Sequence, residues 1–200
     1  MRTEIRFSGL GGQGIILSGL LTGKAASLYD NKNATMTQSF GPEARGSACS
    51  AQLVVSDERV LYPYIGRPDI LVAMSQDACD RFLPDLIDDG TLLVDEDLVS
   101  VNSMRPEFKR YAIPATRFGE QLGNRMVANL VMLGFFTAVT ELLSREAFLK
   151  AIPGSVPERY LDLNLKAFDR GYTFGLERRE KEKTTAHRSV PDTGEPTVAS

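Results

Sequence analysis

Two glycine-bearing loops contain the residue types that could hold an anionic group. The first, Gly9-Leu10-Gly11-Gly12-Gln13-Gly14, has the spacing G-x-G-x-x-G and lies between a predicted strand, residues 3–8, and a predicted helix, residues 15–29. In this setting glycines permit a tight turn, and backbone N–H groups at the start of the helix can approach a phosphate. The amides of Gly11 to Gly14 are therefore candidates for holding an anion or the backbone of a partner.

A nicotinamide or flavin dinucleotide would need one further residue. In such sites an Asp or Glu at the end of the second strand, about 20 residues on, holds the ribose hydroxyls. The second predicted strand, residues 34–40, ends instead in Thr37-Gln38-Ser39-Phe40. Three interpretations stay open for the first loop: a tight structural turn, a site for another anion or a partner, and a dinucleotide site, with the missing acid counting against the last.

The second loop combines restricted backbone positions with two opposite charges. Its sequence is Gln38-Ser39-Phe40-Gly41-Pro42-Glu43-Ala44-Arg45-Gly46-Ser47. The planar guanidinium of Arg45 offers paired donors that suit a phosphate or a carboxylate. Glu43 could orient Arg45 or contact a partner. The alternative is a solvated loop, in which an exposed ion pair would stabilise the protein very little.

Composition narrows the class of protein. The chain has 200 residues, a net charge of −3 and 42% hydrophobic residues, which predicts one folded domain and no basic surface for nucleic acid. Cys49 and Cys79 form no C-x-x-C pair, so we expect reduced thiols in a cytoplasmic protein and no iron–sulfur or zinc ligand set. The most apolar stretch, residues 126–143, is short for a bilayer and contains Asn129, so it predicts a core helix and no membrane association.

Strand and helix patterns alternate along most of the chain. The apolar runs 70–75 and 91–95 are typical of buried parallel strands, residues 50–56 alternate, and residues 60–64 and 111–114 are weaker strand candidates. Helices are predicted for the segments 76–86, 124–143, 145–152 and 157–170, the last ending at Gly171. Because residues 34–56 hold two strands with no helix between them, the pattern predicts a three-layer α/β/α sandwich with a mixed, mostly parallel sheet. We expect a domain over residues 1–176 and a disordered polar tail over 177–200.

The two loops together resemble those of a known family. Gly-Gly-Gln-Gly at residues 11–14 and Gln-Ser-Phe-Gly-Pro-Glu-Ala-Arg-Gly at residues 38–46 are similar, in order and spacing, to the gamma subunit of 2-oxoacid:ferredoxin oxidoreductases. Gly123-Asn124 followed by Asn129 also resembles the start of the family's long helix. The form Gly-Pro-Glu-Ala-Arg-Gly looks most like the 2-oxoglutarate branch.

The resemblance implies a subunit that is not catalytic by itself. Enzymes of this family decarboxylate a 2-oxoacid on thiamine diphosphate, pass electrons through iron–sulfur clusters to ferredoxin, and transfer the acyl group to coenzyme A. Thiamine diphosphate, Mg and the 4Fe-4S clusters belong to the alpha and beta subunits, with a delta subunit left open. This chain is expected to bind none of them alone and to line an interface or ligand loop with Gly9, Gly11, Gly12, Gln13, Gly14, Gln38, Gly41, Pro42, Glu43, Arg45 and Gly46.

Alternatives remain within the family and outside it. A pyruvate, branched-chain or aryl-glyoxylate enzyme would share the same loops. A stand-alone module that binds a nucleotide would use the first loop alone. The only histidine, His187, lies in the predicted tail, so no Ser-His or Cys-His pair is expected within the folded region.

Overall fold

A computed structural model of the chain describes residues 1–40, 48–100 and 108–188, with side chains as far as Lys181. The strands are β1 (Arg2–Leu10), β2 (Asn33–Phe40), β3 (Ala48–Ser56), β4 (Ile70–Ala73), β5 (Thr91–Asp95) and β6 (Lys109–Ile113). The helices are α1 (Ile15–Lys24), α2 (Gln76–Phe82), α3 (Ala115–Gln121), α4 (Ala128–Thr140), α5 (Arg145–Ala151) and α6 (Leu161–Arg188). A π-helical turn, Ala25–Tyr29, follows α1, and short 3-10 turns, Leu83–Asp85 and Arg125–Val127, follow α2 and precede α4.

The six strands form one sheet in the order β2-β3-β1-β4-β5-β6. Strands β1, β4, β5 and β6 are parallel neighbours, whereas β3 runs antiparallel to both β1 and β2. The predicted mixed, mostly parallel sheet is confirmed, and the antiparallel part lies where two strands follow each other without a helix. The weak strand prediction for 111–114 is confirmed as the edge strand β6, and that for 60–64 is wrong because those residues form no strand.

Helices cover both faces of the sheet. Ile5 and Phe7 of β1 point to one face and pack in a core with α1, α4, α5 and α6. On the other face Leu71 of β4 and Leu92 of β5 pack in a smaller core beneath Cys79 of α2. Successive strand residues alternate between the two cores, as the pleat requires. The result is the predicted α/β/α sandwich, with its thicker helical layer on the side of α1.

Helices α4 and α6 approach each other closely through glycines. A Cβ atom added at Gly171 would lie 1.8 Å from the carbonyl oxygen of Val131, and one at Gly134 would lie 1.9 Å from that of Phe168. Gly171 was predicted to end the last helix, but α6 continues through it. The prediction was wrong because this glycine gives close backbone contact rather than a helix stop.

Helix α6 also extends beyond the predicted domain boundary. Residues 177–188 were expected to begin a disordered tail, yet they belong to α6. Arg179 donates a 3.1 Å hydrogen bond to the carbonyl oxygen of Ala138 and pairs with Glu141 at the end of α4. The remainder of the predicted tail, residues 189–200, lies outside the described residues. Across the described ranges no helix is long and apolar enough to cross a membrane.

Candidate functional site

One edge of the sheet collects the ends of most strands. β1, β4, β5 and β6 all end there, and the pairing of Leu10 with Ala48 and of Phe40 with Cys49 brings the end of β2 and the start of β3 to the same edge. Residues on both sides of segment 41–47 therefore lie beside the end of β1. Gly41, Pro42, Glu43, Arg45 and Gly46 themselves lie outside the described residues, so the expected side-by-side placement of the two loops stays a prediction.

The chain leaves β1 and β4 toward opposite faces of the sheet. Helix α1 follows β1 on the side of the larger core, whereas α2 follows β4 on the side of the smaller core. In open α/β sheets the crevice between two such strands is where ligands commonly bind. The predicted glycine loop therefore lies at the position in the fold most suited to a ligand.

Gln13 ties the ends of β1 and β4 together. Its side-chain oxygen accepts a 2.7 Å hydrogen bond from the Leu10 amide, and its side-chain nitrogen donates a 2.8 Å bond to the carbonyl oxygen of Met74. Its own backbone amide donates to the carbonyl oxygen of Leu10 at 3.1 Å. A Cβ atom at Gly9 would lie 2.5 Å from the Gln13 side-chain oxygen, so Gly9 makes room for this clip. Gln13 thus fixes the loop through one donor and one acceptor of its side-chain amide.

The turn into α1 requires glycine at two positions. Gly12 has φ = 99° and Gly14 has φ = 73°, values that L-residues rarely adopt. Gly14 is the residue that precedes α1, and a Cβ atom there would lie 2.3 Å from the side-chain nitrogen of Asn129. That nitrogen donates a 3.4 Å hydrogen bond to the carbonyl oxygen of Gly14. The start of α1 is therefore held against the first turns of α4.

A crevice of about 260 Å³ opens beside this turn. Leu10, Gly11, Gly12 and Gln13 form one wall, and Met74, Thr116, Arg125, Met126 and Ala128 form the rest. We call it the switch-point crevice. Arg125 and Met126 are exposed, and the Met126 amide is capped by the side-chain oxygen of Asn124 at 2.9 Å. The crevice therefore combines a helix N-terminus, one guanidinium and an apolar rim, a combination that suits a ligand with an anionic end.

Asp95 supports the floor of the crevice from below. It is fully buried at the end of β5 and accepts hydrogen bonds from the Thr116 hydroxyl (2.6 Å) and the Thr116 amide (3.0 Å). Burial raises the pKa of Asp95, while the bonds from Thr116 act in the opposite direction. The carboxyl group thus positions Thr116 at the start of α3 and does not face the crevice itself.

The structure adds a second argument against a dinucleotide. The parallel strand beside β1 is β4, and it runs into Met74 and Ser75, which carry no carboxylate. Ser75 is occupied in capping α2, where its hydroxyl accepts a bond from the Ala78 amide. On its other side β1 pairs with the antiparallel β3, so no parallel second strand ends there with a carboxylate that could hold a ribose.

The predicted site residues divide into four groups. Gly11, Gly12 and Gln13 line the crevice, Gly9 and Gly14 shape its wall, and Gln38 lies exposed on β2. The five predicted residues of segment 41–47 are not described. Sequence reasoning missed Arg125, Met126 and Thr116, although the Gly123-Asn124 pair ahead of the long helix could have indicated that the next residues face the glycine loop.

Metal-ligating residues do not gather in the described part of the chain. Within it, no three His, Cys, Asp or Glu side chains are placed to hold a metal ion. Cys49 packs in the larger core and Cys79 in the smaller one, on opposite faces of the sheet. Burial raises the pKa of both thiols, that of Cys79 to about 11. Neither cysteine is placed as a cluster ligand.

Comparisons with known proteins agree with the fold and the loops. A sequence profile described as "Pyruvate ferredoxin/flavodoxin oxidoreductase" matches residues 4–174. The 2-oxoglutarate synthase subunit KorC of Methanocaldococcus jannaschii is 50% identical over 179 residues, which cover 88% of this chain and 96% of that subunit. The pyruvate synthase subunit PorC of Methanothermobacter marburgensis is 32% identical over 169 residues, covering 82% and 92% of the two chains.

A solved structure is similar over almost the same length. The gamma subunit of a keto/oxoacid ferredoxin oxidoreductase from Geobacter sulfurreducens superposes with a TM-score of 0.77 and 42% identity, covering 88% of this chain and 99% of that one. The match extends over nearly the whole of the relative in each case. This chain therefore belongs to the pyruvate ferredoxin/flavodoxin oxidoreductase family, in agreement with its resemblance to gamma subunits.

Proposed function

We propose that this chain is the gamma subunit of a 2-oxoglutarate:ferredoxin oxidoreductase. The complex would decarboxylate 2-oxoglutarate oxidatively, form its acyl-CoA and CO2, and reduce ferredoxin. One observation carries the choice of substrate: identity is 50% with a 2-oxoglutarate synthase subunit but 32% with a pyruvate synthase subunit, at similar coverage. The Gly-Pro-Glu-Ala-Arg-Gly sequence of residues 41–46 supports the same branch.

The redox and decarboxylation chemistry is assigned to other subunits. Thiamine diphosphate, Mg and the 4Fe-4S clusters would be held by alpha and beta subunits, with a delta subunit in some arrangements. The described residues of this chain offer no cluster of metal ligands, and its two cysteines are buried on opposite faces of the sheet. The complex would be a hetero-oligomer that acts in the cytoplasm with ferredoxin as its acceptor.

The role of this chain in the complex would centre on the switch-point crevice. The crevice presents Gly11 and Gly12 at the start of α1, Arg125 on the opposite wall and the exposed thioether of Met126. Phosphate groups bind well at helix N-termini and to arginine, and a flexible apolar arm packs well on methionine. We propose that coenzyme A places its anionic part here, with Arg45 of the second loop as a further contact.

Reconstitution tests this function directly. The alpha and beta subunits are prepared with and without this chain, and reduction of a viologen is followed after adding 2-oxoglutarate and coenzyme A. Activity should require this chain, and Arg125→Gln should raise the KM for coenzyme A while leaving that for 2-oxoglutarate unchanged. A complex that is equally active without this chain would contradict the proposal. Assembly is checked by gel filtration, and Arg159→Gln serves as the control, because Arg159 is an exposed arginine that does not line the crevice.

A further inference from the structure

The face of the sheet that α2 covers changes from apolar to polar along its width. At β4 and β5 this face carries Leu71, Ala73, Leu92 and Val94. At β1, β3 and β2 the strand register instead aligns three serines side by side: Ser8 with Ser50, and Ser50 with Ser39. The row below is Arg6, Gln52 and Thr37 in the same register. Polar groups thus continue across the sheet where the apolar core ends.

Helix α2 covers only part of this polar area. Its main contacts with the sheet are with β1 and β4, and the guanidinium of Arg6 lies 4.3 Å from the ring centre of its last residue, Phe82. Beyond Phe82 a cleft of about 230 Å³ opens toward β2 and β3. Ser39, Ser50, Arg81 and Phe82 line this α2-side cleft together with Phe40, Ala48 and Cys49. Its serines, Arg81 and Phe82 lie on the face of the sheet opposite α1, and the cleft shares no lining residue with the switch-point crevice.

Two arginine side chains meet at the ring of Phe82. The guanidinium of Arg81 lies 5.1 Å from the same ring that Arg6 contacts, so two arginines share one aromatic side chain. Asp85 forms an ion pair with Arg6, with 3.3 Å between a guanidinium nitrogen and a carboxylate oxygen, and the Asp85 side chain is half exposed. Asp80, next to Arg81 in sequence, accepts a hydrogen bond from Gln76. A guanidinium on an aromatic face is held in place but its charge is not neutralised.

Arg6 is incompletely satisfied as well as buried. Its relative exposure is 7%, and its Nε is a buried side-chain atom that lacks a hydrogen-bond partner among the described residues. Burial lowers the pKa of Arg6, Asp85 opposes that effect, and the charge of Arg81 adds to it. A buried guanidinium with an unpaired donor and a like charge nearby is costly. An anion bound beside Arg81 would reduce that cost.

We propose that the α2-side cleft is an anion site that takes the phosphate group of a small phosphorylated ligand. Arg81 would supply paired N–H donors, Ser39 and Ser50 would supply hydroxyls from adjacent strands, and Arg6, which lies over the Phe82 ring, would add positive charge. Arginine with hydroxyl groups is a recurrent donor set for phosphate. The site rests on the polar rows and the two arginines, and does not depend on the proposed function of the complex.

Pyrophosphate is the probe for this site. The full-length chain is labelled with nitrogen-15 and titrated with pyrophosphate while backbone amide signals are followed. Saturable shifts are expected at Ser39, Ser50 and Phe82. Arg81→Gln should weaken binding about tenfold or more, the loss typical of a charged hydrogen bond, and Ser50→Ala should weaken it less. Arg159→Gln is the matched control, because Arg159 is also exposed and stacks on a ring, that of Tyr160, at 4.8 Å.

Two further comparisons distinguish phosphate binding in the α2-side cleft from anion binding elsewhere in the chain. If pyrophosphate shifts Gly11 and Gly12 instead, and Arg125→Gln weakens binding while Arg81→Gln does not, the anion binds in the switch-point crevice and the proposal is overturned. The proposal is also overturned if pyrophosphate causes no saturable shifts in the chain. Tighter binding of the dicarboxylate 2-oxoglutarate than of pyrophosphate at Ser39 and Ser50 would overturn the assignment to phosphate. Thermal melting of each variant confirms that it is folded.

Discussion

Gln13 lies inside a glycine motif, and its side chain has a structural role there. Its side chain accepts from the Leu10 amide and donates to the Met74 carbonyl, so it joins the carboxyl ends of two neighbouring strands. The sequence identified Gln13 as a candidate ligand residue from its position in the motif. Its partner on β4 is 61 residues away in sequence, and local pattern does not contain that information.

We predict that Gln13→Glu destabilises the protein by about 1–3 kcal/mol, because a carboxylate cannot donate to the Met74 carbonyl and would face its oxygen. The free energy of unfolding from urea titrations measures this. Gln121→Glu is the control, since Gln121 is exposed at the end of α3. Equal stability of Gln13→Glu and the unmodified chain would mean that the clip contributes nothing.

Arg45 carries a prediction that rests on the sequence, since it lies outside the described residues. If it binds coenzyme A, Arg45→Ala should raise the KM for coenzyme A roughly tenfold to a hundredfold, equivalent to about 1.5–3 kcal/mol for a charged hydrogen bond. Arg45→Lys should recover only part of the loss because lysine lacks the planar fork. Kinetics of the assembled complex measure this effect.

The alternative role for Arg45 is structural. If Arg45 pairs with Glu43 or with a carboxylate of a partner, the variant should assemble poorly and the surviving complex should keep its KM for coenzyme A. Gel filtration beside the kinetics distinguishes the two roles. A fully assembled Arg45→Ala complex with unaltered kinetics would contradict both.

At the scale of elements, the packing of α4 against α6 depends on glycines that carry no local signal of their purpose. Gly171 was interpreted as a helix stop because glycine is common after the last turn of a helix. In the structure the backbone of Val131 occupies the space that a side chain at position 171 would need. The sequence alone does not show whether a glycine ends a helix or allows two helices to cross closely. Only the tertiary contact distinguishes these two roles.

We predict that Gly171→Ala destabilises the protein by about 1–3 kcal/mol or more, because the added methyl group overlaps backbone atoms and the helices must separate. Thermal unfolding followed by circular dichroism measures the loss. Gly66→Ala is the matched control, since a Cβ atom there meets nothing within 4 Å. If both variants melt at the same temperature, the helices do not cross as closely as described.

The end of α6 also has a structural role. Arg179 binds the Ala138 carbonyl and Glu141, the left-handed residue that ends α4. We predict that a chain ending after Lys181 keeps its stability within about 0.5 kcal/mol, as expected for a surface change. A chain ending after Arg178 should lose about 1–3 kcal/mol with this charged hydrogen bond. Urea titrations of the two truncations compare them, and an equal loss would show that Arg179 is not the cause.

At the scale of the whole molecule, the sheet was predictable in type but not in order. The apolar runs that became β4 and β5 indicated buried parallel strands, and the absence of a helix between β2 and β3 indicated an antiparallel part. Nothing local determines that β3 lies between β1 and β2, or that Arg125 returns to the glycine loop. Those placements arise from long-range packing. The glycine loop of the switch-point crevice could therefore be predicted from the sequence, but the opposite wall with Arg125 could not.

The placement of charged residues also depends partly on long-range packing that the local sequence does not predict. A net charge of −3 gave no indication of a local cluster of arginines, yet two arginines gather on Phe82 because β1 and α2 meet there. Arg6 and Arg81 are 75 residues apart, and no motif connects them. Charged side chains that are far apart in sequence can therefore meet wherever separate elements converge.

We propose that this chain works in a complex selective for 2-oxoglutarate. The most direct measurement is to purify the complex through a tag on this chain and compare kcat/KM for 2-oxoglutarate, pyruvate and 2-oxoisovalerate, with coenzyme A and ferredoxin or a viologen present. We predict that 2-oxoglutarate has the highest kcat/KM and that the isolated chain reduces no acceptor. A complex that prefers pyruvate or 2-oxoisovalerate, or a chain that purifies without thiamine- and cluster-bearing partners, would contradict the claim.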